Sequence, residues 1–192
     1  IADAAEVLDD NGVFIAQLMC LESMLKKNDL GNICHEHLEF YSYDSLKYLF
    51  EKNGLKIFKM EKNNINGGSY RIFCKKNISH SIVYKEKTSL SGIKEFIQHV
   101  ESNKKKCLSF LINAVKKGLK VYIYGASTKG NTLLQYYGIN QKLIKFAAER
   151  SPEKWGKYTV GSGIRIISES KARKLNPDYF FVMPYAFIKE FI

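Results

Sequence analysis

Two histidines and two carboxylates crowd one short polar stretch, Ile33-Cys34-His35-Glu36-His37-Leu38-Glu39. Imidazole titrates near pH 6.5, so either His35 or His37 can accept a proton at neutral pH without help. Glu36 can orient a neighbouring imidazole or raise its basicity. If the stretch is extended, residues two apart share a face, which sets His35 with His37 and Cys34 with Glu36. His, Glu and Cys are also metal ligands, and a polar loop can hold two histidines without any chemistry. On this segment alone all three readings stay open. The His-x-x-x-His helical spacing of zinc proteases is absent.

A second segment, Asn64-Ile65-Asn66-Gly67-Gly68-Ser69, carries two glycines that let backbone amides approach a ligand. Asn66 and Ser69 add hydrogen-bonding groups. A plain hairpin connection explains the same composition. A third, Tyr124-Gly125-Ala126-Ser127-Thr128-Lys129-Gly130-Asn131, follows a strand pattern and precedes a helical one. That context offers backbone N–H groups to an anion at a helix N-terminus, and Lys129 adds a positive charge. The segment is neither a Walker A motif nor a full Gly-x-Gly-x-x-Gly, so a phosphate or pyrophosphate cradle stands beside an ordinary strand-to-helix turn. Glu149 closes the next strand, near the spacing of roughly 20 residues at which an acidic residue contacts a ribose hydroxyl.

The elements that must position these groups follow from pattern. Ile1 to Asp10 reads as the end of a helix leading into a strand at Val13 to Leu18, with a short helix over Leu21 to Lys27. Tyr43 to Asn53 predicts a helix, with Ser42 or Asp44 as cap and Gly54 as its stop. Leu55 to Met60 and Tyr70 to Lys75 read as strands joined as in a hairpin across residues 63–69. Ile78 to Ser91 reads as a linker. A long helix then runs to Lys117, with Ile93, Phe96, Ile97, Val100, Leu108, Leu111 and Ile112 at helical spacing. Beyond Gly118 strands alternate with helices: strands at Lys120 to Tyr124, Ile144 to Ala148, Ile164 to Ile167 and Tyr179 to Met183, and helices at Asn131 to Tyr137 and Glu169 to Lys174. Alternation of this kind argues for a parallel, Rossmann-like sheet. The expected class is therefore α/β, with antiparallel strands first and a parallel sheet after.

The 192 residues are 45% hydrophobic and 13% aromatic, as packed chains are. No apolar run approaches the roughly 18 residues of a membrane span. The start, Ile1-Ala2-Asp3, has no signal-peptide pattern, and it lacks an initiator Met, which together with the abrupt opening suggests a fragment. The end, residues 187–192, looks like an amphipathic helix cut short. Cys20, Cys34, Cys74 and Cys107 form no Cys-x-x-Cys pair, which argues against a zinc knuckle and for reduced thiols in the cytoplasm. Cys20, Cys74 and Cys107 read as core filler. The net charge of +11 is spread along the chain, with Lys104-Lys105-Lys106 its one run, as on a solvated lysine-rich surface. Nucleic-acid binding would instead need lysines on one face and a steep salt dependence.

Taken in order, the motifs resemble one family. Asn32-Ile33-Cys34-His35-Glu36-His37-Leu38-Glu39-Phe40-Tyr41-Ser42 resembles the histidine loop of bacterial sugar C-methyltransferases that act on nucleotide-linked deoxysugars. Asn66-Gly67-Gly68-Ser69 is similar to their second active-site loop, the segment Tyr124 to Asn131 to the opening turn of their C-terminal domain, and Asn176-Pro177-Asp178-Tyr179-Phe180 to their last strand. The resemblance implies a full enzyme with an N-terminal zinc module, a middle S-adenosylmethionine-binding domain and a C-terminal Rossmann-like domain. It implies that residues 1–78 end the methyltransferase domain, 79–118 form a linker and long helix, and 119–192 form the domain that binds the nucleotide sugar. The zinc cysteines and the glycine-rich cofactor motif are not in this sequence, so zinc and most of the cofactor site belong to the full-length enzyme, and the chain alone is expected to be inactive.

The resemblance further implies that His37 is the general base, with Glu36 beside it. It removes the acidic hydrogen next to the sugar ketone, giving an enolate whose carbon takes the methyl group. His35 or Asn66 would hydrogen-bond the sugar, and Ser127, Thr128 and Lys129 would hold the pyrophosphate. The implied substrate-binding set also includes Cys34, Gly67, Gly68, Ser69, Arg71, Gly125, Ala126, Gly130, Asn131 and Glu149. Two positions depart from the family: Cys34 stands where it often has Tyr, and Tyr185-Ala186 follows Pro184 where it often has Trp-His. The expected partner is a nucleotide sugar, not nucleic acid or membrane. The alternative is a nucleotide-binding module without catalysis.

Overall fold

The computed structural model describes residues 1–183 and residue 188. Tyr185-Ala186 and, apart from Ile188, the expected helix at 187–192 lie outside the described residues. The chain forms two compact units, residues 1–29 with 38–96, and residues 30–37 with 97–192.

The first unit is built on an antiparallel three-stranded sheet. Helix α1 (Ala2–Val7) leads to β1 (Phe14–Met19), α2 (Leu21–Lys27), α3 (Tyr43–Lys52), β2 (Lys56–Asn63) and β3 (Ser69–Lys75). The order is β1-β3-β2, so the hairpin of β2 and β3 is completed by β1 pairing to β3 from Phe14↔Cys74 to Met19↔Ser69. Alternation on β3 drives Tyr70, Ile72 and Cys74 inward. There they meet Leu46 and Phe50 of α3, Leu55, and Ile57 of β2, all at most 1% exposed. Each such aliphatic or aromatic side chain contributes about 1.5–3 kcal/mol on burial. Ser42 caps α3 by accepting from the Ser45 N–H, and Gly54 ends it at φ +76°.

The stretch read as a linker is pinned to this unit. Ile82 N–H donates to Ile57 C=O, Ser81 Oγ accepts from Ile57 N–H, and Tyr43 Oη donates to Ile82 C=O at 2.6 Å. Glu86 accepts from both Tyr43 N–H and Tyr70 Oη. A serine hydroxyl thus satisfies the edge strand where a backbone partner would. Helix α4 (Leu90–Lys116) follows, its residues up to Phe96 grouping with this unit. Its buried stripe is narrower than the pattern predicted: Phe96, Val100, Leu111 and Ala114 are buried, whereas Ile93, Ile97 and Ile112 are exposed.

The second unit holds a parallel sheet of β4 (Val121–Tyr124), β5 (Phe146–Glu149), β6 (Arg165–Ser168) and β7 (Tyr179–Val182), with α5 (Thr128–Tyr137) between β4 and β5 and α6 (Glu169–Lys174) between β6 and β7. The order β6-β5-β4-β7 reverses direction between β4 and β7. Open parallel sheets bind ligands beyond the carboxyl ends of the strands at such a reversal. The molecule is thus α/β, an antiparallel sheet followed by a Rossmann-like parallel one. Among the described residues no helix is long and apolar enough to cross a membrane, and no group of three or more His, Cys, Asp and Glu could hold a metal. The four cysteines are free thiols. Cys20 is more than filler: its sulfur caps α2 by accepting from Ser23 N–H and Oγ. Cys107 is half-buried, and burial pushes its thiol pKa up.

Candidate functional site

The histidine loop belongs to the second unit. A 3-10 turn, Leu30–Asn32, is buried and packs against α5. The chain then folds back on itself instead of extending: His37 N–H donates to Cys34 C=O at 3.0 Å, which makes Cys34 to His37 a tight turn. The i, i+2 face-sharing of an extended strand therefore does not apply. Cys34 is buried under the turn, His35 and Glu36 form its exposed tip, and His37 is half-buried. The Glu36 carboxylate lies 3.9 Å from His35 Nε2, a loose, solvent-exposed pairing.

What orients His37 is the backbone of Asn32. His37 Nδ1 lies 2.9 Å from Asn32 C=O. A carbonyl only accepts, so in the neutral ring Nδ1 carries the proton and Nε2 has the lone pair. This is how a histidine base is held in one tautomer and one direction. Sequence reading missed it because the partner is a main-chain oxygen five residues upstream. The one available signal was a buried-type turn, Asp29-Leu30-Gly31-Asn32, ahead of the histidines.

The strand-to-helix turn after β4 is the second feature. Gly125 adopts φ +86°, open to glycine and few other residues. Ser127 caps α5, its Oγ accepting from Gly130 N–H at 3.1 Å. The helix therefore starts at Thr128, three residues earlier than its pattern suggested, because the polar turn residues are its first turn. A Cβ on Gly130 would lie 3.0 Å from Met183 Cε and 3.1 Å from Met183 Cβ, so glycine lets α5 sit close against the end of β7. Gly125-x-Ser127-x-x-Gly130 thus keeps the first and third glycine roles of a dinucleotide turn, with serine at the second. The backbone N–H groups of Ser127 and Thr128 meet no acceptor among the described residues, and the buried Asn131 Oδ1 has no hydrogen-bond partner among them.

Glu149 is committed to this turn. One carboxylate oxygen accepts from Arg150 N–H at 2.8 Å and Ser151 N–H at 3.1 Å. The other accepts from Ala126 N–H at 3.0 Å and Lys154 Nζ at 3.4 Å. Lys154 also donates to Ala126 C=O at 2.9 Å, which locks both sides of that residue. Burial alone would raise the Glu149 pKa, but the Ser151 N–H, the Lys154 charge and the Ala126 and Arg150 N–H groups outweigh it, leaving it below the usual carboxylate range. A carboxylate has about four acceptor positions, so a ribose hydroxyl would have to displace one of these donors.

In the first unit, the loop Asn64 to Ser69 folds as a 3-10 turn with Asn66 in the left-handed region at φ 52°. Lys27 Nζ donates to Asn64 Oδ1 at 3.0 Å, and Ser69 Oγ donates to Ile65 C=O at 3.0 Å. Gly67 and Gly68 have φ 93° and 140°. Arg71 donates through Nε and Nη2 to Gln17 Oε1 across the β1–β3 pair, at 3.2 and 3.1 Å. The structure thus gathers Cys34 to His37 with residues 125–131 and Glu149 in one unit, and Asn66 to Ser69 with Arg71 in the other.

Beyond the ends of β5 and β6 lies an open cleft of about 650 Å³. Glu169 anchors it, accepting from Arg150 Nε at 2.8 Å and from Arg173 Nε at 2.9 Å. The Arg150 hydrogen bond, with help from Tyr124 and Arg173, holds the Glu169 pKa at about 2. Because that pKa lies below the ordinary 4.5, the ionised clamp stabilises the fold above about pH 4.5 and its contribution disappears as the pH falls toward 2. Acid titration of the parent and Glu169→Gln by circular dichroism checks this: the parent loses stability through that window and the variant shows a flatter profile.

The parallel unit thus carries both a serine-capped strand-to-helix turn and a loop whose histidine is oriented by a backbone carbonyl. Residues 64–192 match the family described as the C-methyltransferase C-terminal domain, and the chain belongs to that family. A C-methyltransferase from Streptomyces niveus, NovU, is 27% identical over 198 residues, covering 97% of this chain and 47% of the relative. The chain thus spans about half the length of the curated relative it matches.

Proposed function

We propose that this chain is the C-terminal portion of an S-adenosylmethionine-dependent enzyme that methylates a carbon beside the ketone of a nucleotide-linked keto-deoxysugar. The observation that carries the reading is the His37–Asn32 contact, which leaves His37 Nε2 as a directed acceptor just after the 3-10 turn that packs against α5. Residues 1–78 end the cofactor-binding domain, 79–118 connect, and 119–192 bind the nucleotide. The relative's name supports the methyl chemistry, and the anion turn supports a diphosphate.

His37 Nε2 takes the proton from the carbon beside the ketone, and the electron pair moves onto the ketone oxygen as an enolate. The imidazolium formed keeps its Nδ1–H on Asn32 C=O, so the ring does not turn as it gains charge. His35 or Asn66 serves as a hydrogen-bond donor to the sugar. The Ser127 and Thr128 N–H groups and Lys129 hold the diphosphate, while Glu149 and Lys154 fix the turn that presents them. Glu36 acts on His35 at the tip of the loop. In this chain β1 passes to α2 through Cys20, without a glycine; S-adenosylmethionine, held for the most part outside these 192 residues, would supply the methyl group.

Calorimetry on the 192-residue chain tests the nucleotide assignment. A nucleoside diphosphate should bind, and Lys129→Ala should weaken it about tenfold or more, since a hydrogen bond to a charged group is worth about 1.5–3 kcal/mol. Absence of diphosphate binding by the parent would remove the assignment.

A further inference from the structure

We infer that the cleft beyond β5 and β6 is the seat of the nucleoside base of the ligand whose diphosphate the α5 turn holds, with Trp155 as its stacking face. The inference rests on the nucleotide reading above.

Three observations lead to it. The first is place. Tyr124 of β4 pairs with Ala148 of β5, and Glu149 of β5 with Ser168 of β6, so the cleft opens beside the turn on the same carboxyl edge of the sheet. Strands lie about 4.8 Å apart, which puts the end of β6 about 10 Å from the end of β4, within the reach of a ribose and its base. Glu149 is common to both features: its carboxylate fixes Ala126 in the turn, and it forms part of the cleft wall.

The second is chemistry. The cleft offers Trp155, Arg150, Arg173, Ser168 and Lys174 around Glu169. Both guanidinium groups are engaged by the single carboxylate of Glu169, and Arg150 also donates to Tyr124 Oη at 3.1 Å. Their hydrogen-bonding edges are thus taken up by Glu169 and Tyr124. What remains is flat surface. Arg173 lies 5.8 Å from the centroids of both Tyr124 and Phe180, with Arg150 6.0 Å from Tyr124, so each guanidinium backs onto a ring. Planar groups held in place this way stack on a base with little loss of freedom.

The third is Trp155 itself. It is 44% exposed in a cleft, though large apolar groups are usually covered. Its indole N–H donates to Glu149 C=O at 2.8 Å, which fixes the ring against the end of β5. A ring pinned by its polar edge, with the rest open to solvent, is arranged to stack.

Trp155 is the only tryptophan of the chain, so its fluorescence reports this cleft alone. The 192-residue chain is titrated with inorganic pyrophosphate and with a nucleoside diphosphate, by calorimetry and by Trp155 emission. The inference predicts that both bind, that the nucleoside diphosphate binds about tenfold or more tighter, as stacking of about 1–3 kcal/mol per base allows, and that it alone quenches Trp155. Trp155→Leu should narrow the difference between the two ligands and Trp155→Phe should restore most of it. Equal affinities with unchanged emission would overturn the inference while leaving the diphosphate turn in place. Failure of both ligands to bind would overturn the turn assignment and the inference with it.

Discussion

In the full-length enzyme, His37→Asn should lower C-methyl transfer by about 10² to 10⁴-fold, the range that general-base catalysis supplies. The effect should fall on kcat, with KM little changed, because the proposed seat of the diphosphate is the α5 turn and not the imidazole. Asparagine suits the test. Its side-chain amide can still donate to Asn32 C=O, the bond that His37 Nδ1 makes at 2.9 Å, and the backbone bond from residue 37 to Cys34 C=O is untouched. The loop keeps its shape and loses only the basic nitrogen. His35→Asn should do much less. His35 sits at the exposed tip of the turn, 82% exposed, with the Glu36 carboxylate 3.9 Å away. A kinetic loss at His35 equal to that at His37 would move the base to the tip.

Gly68→Ala should destabilise the first unit by about 3 kcal/mol or more, the second large effect. Two costs add. At φ +140° a side chain is strained, worth about 1–3 kcal/mol. A Cβ there would also lie 2.4 Å from Ser23 Cβ and 2.9 Å from Ser23 Oγ, so α2 must shift away from the loop, at about 1–3 kcal/mol for an overpacked contact. Any shift also disturbs the Cys20 N–H to Gly68 C=O bond and the Cys20 sulfur cap on α2. Gly54→Ala separates the two terms. Gly54 also has positive φ, at +76°, but nothing lies within 4 Å of its Cβ position, so the expected cost is about 1 kcal/mol. Urea midpoints for the two variants compare them. Equal losses would mean that the Ser23 contact relaxes freely and backbone strain alone is at work.

Much of the architecture could be read from the sequence, because it rests on local signals. Helices Leu21–Lys27 and Glu169–Lys174 have the predicted bounds, and Tyr43–Lys52 ends one residue earlier than predicted, with Ser42 as cap and Gly54 at positive φ. The hairpin of β2 and β3 and the alternation of the parallel unit followed from period and turn chemistry. The pairing of β1 to β3 did not, because it joins residues 50 to 60 apart and leaves no local mark. Ile78 to Ser91 read as linker, but Ser81 and Glu86 use their polarity to satisfy Ile57, Tyr43 and Tyr70.

The site divides the same way. The residue types in the histidine loop and the glycine turn flagged both segments. Their roles turn on bonds between side chain and backbone that only the folded chain makes. Asn32 C=O chooses the tautomer of His37, and Glu149, read from spacing as a ribose contact, also accepts from Ala126 N–H. Trp155 carried no motif, and only the cleft around it marks it.

The most direct measurement needs no methyl donor. In deuterium oxide, with a nucleotide-linked keto sugar and no S-adenosylmethionine, the full-length parent should exchange the hydrogen on the carbon beside the ketone, followed by proton NMR. His37→Asn should stop that exchange while still binding the nucleotide. Exchange that persists in His37→Asn at the parent rate would contradict His37 as the base.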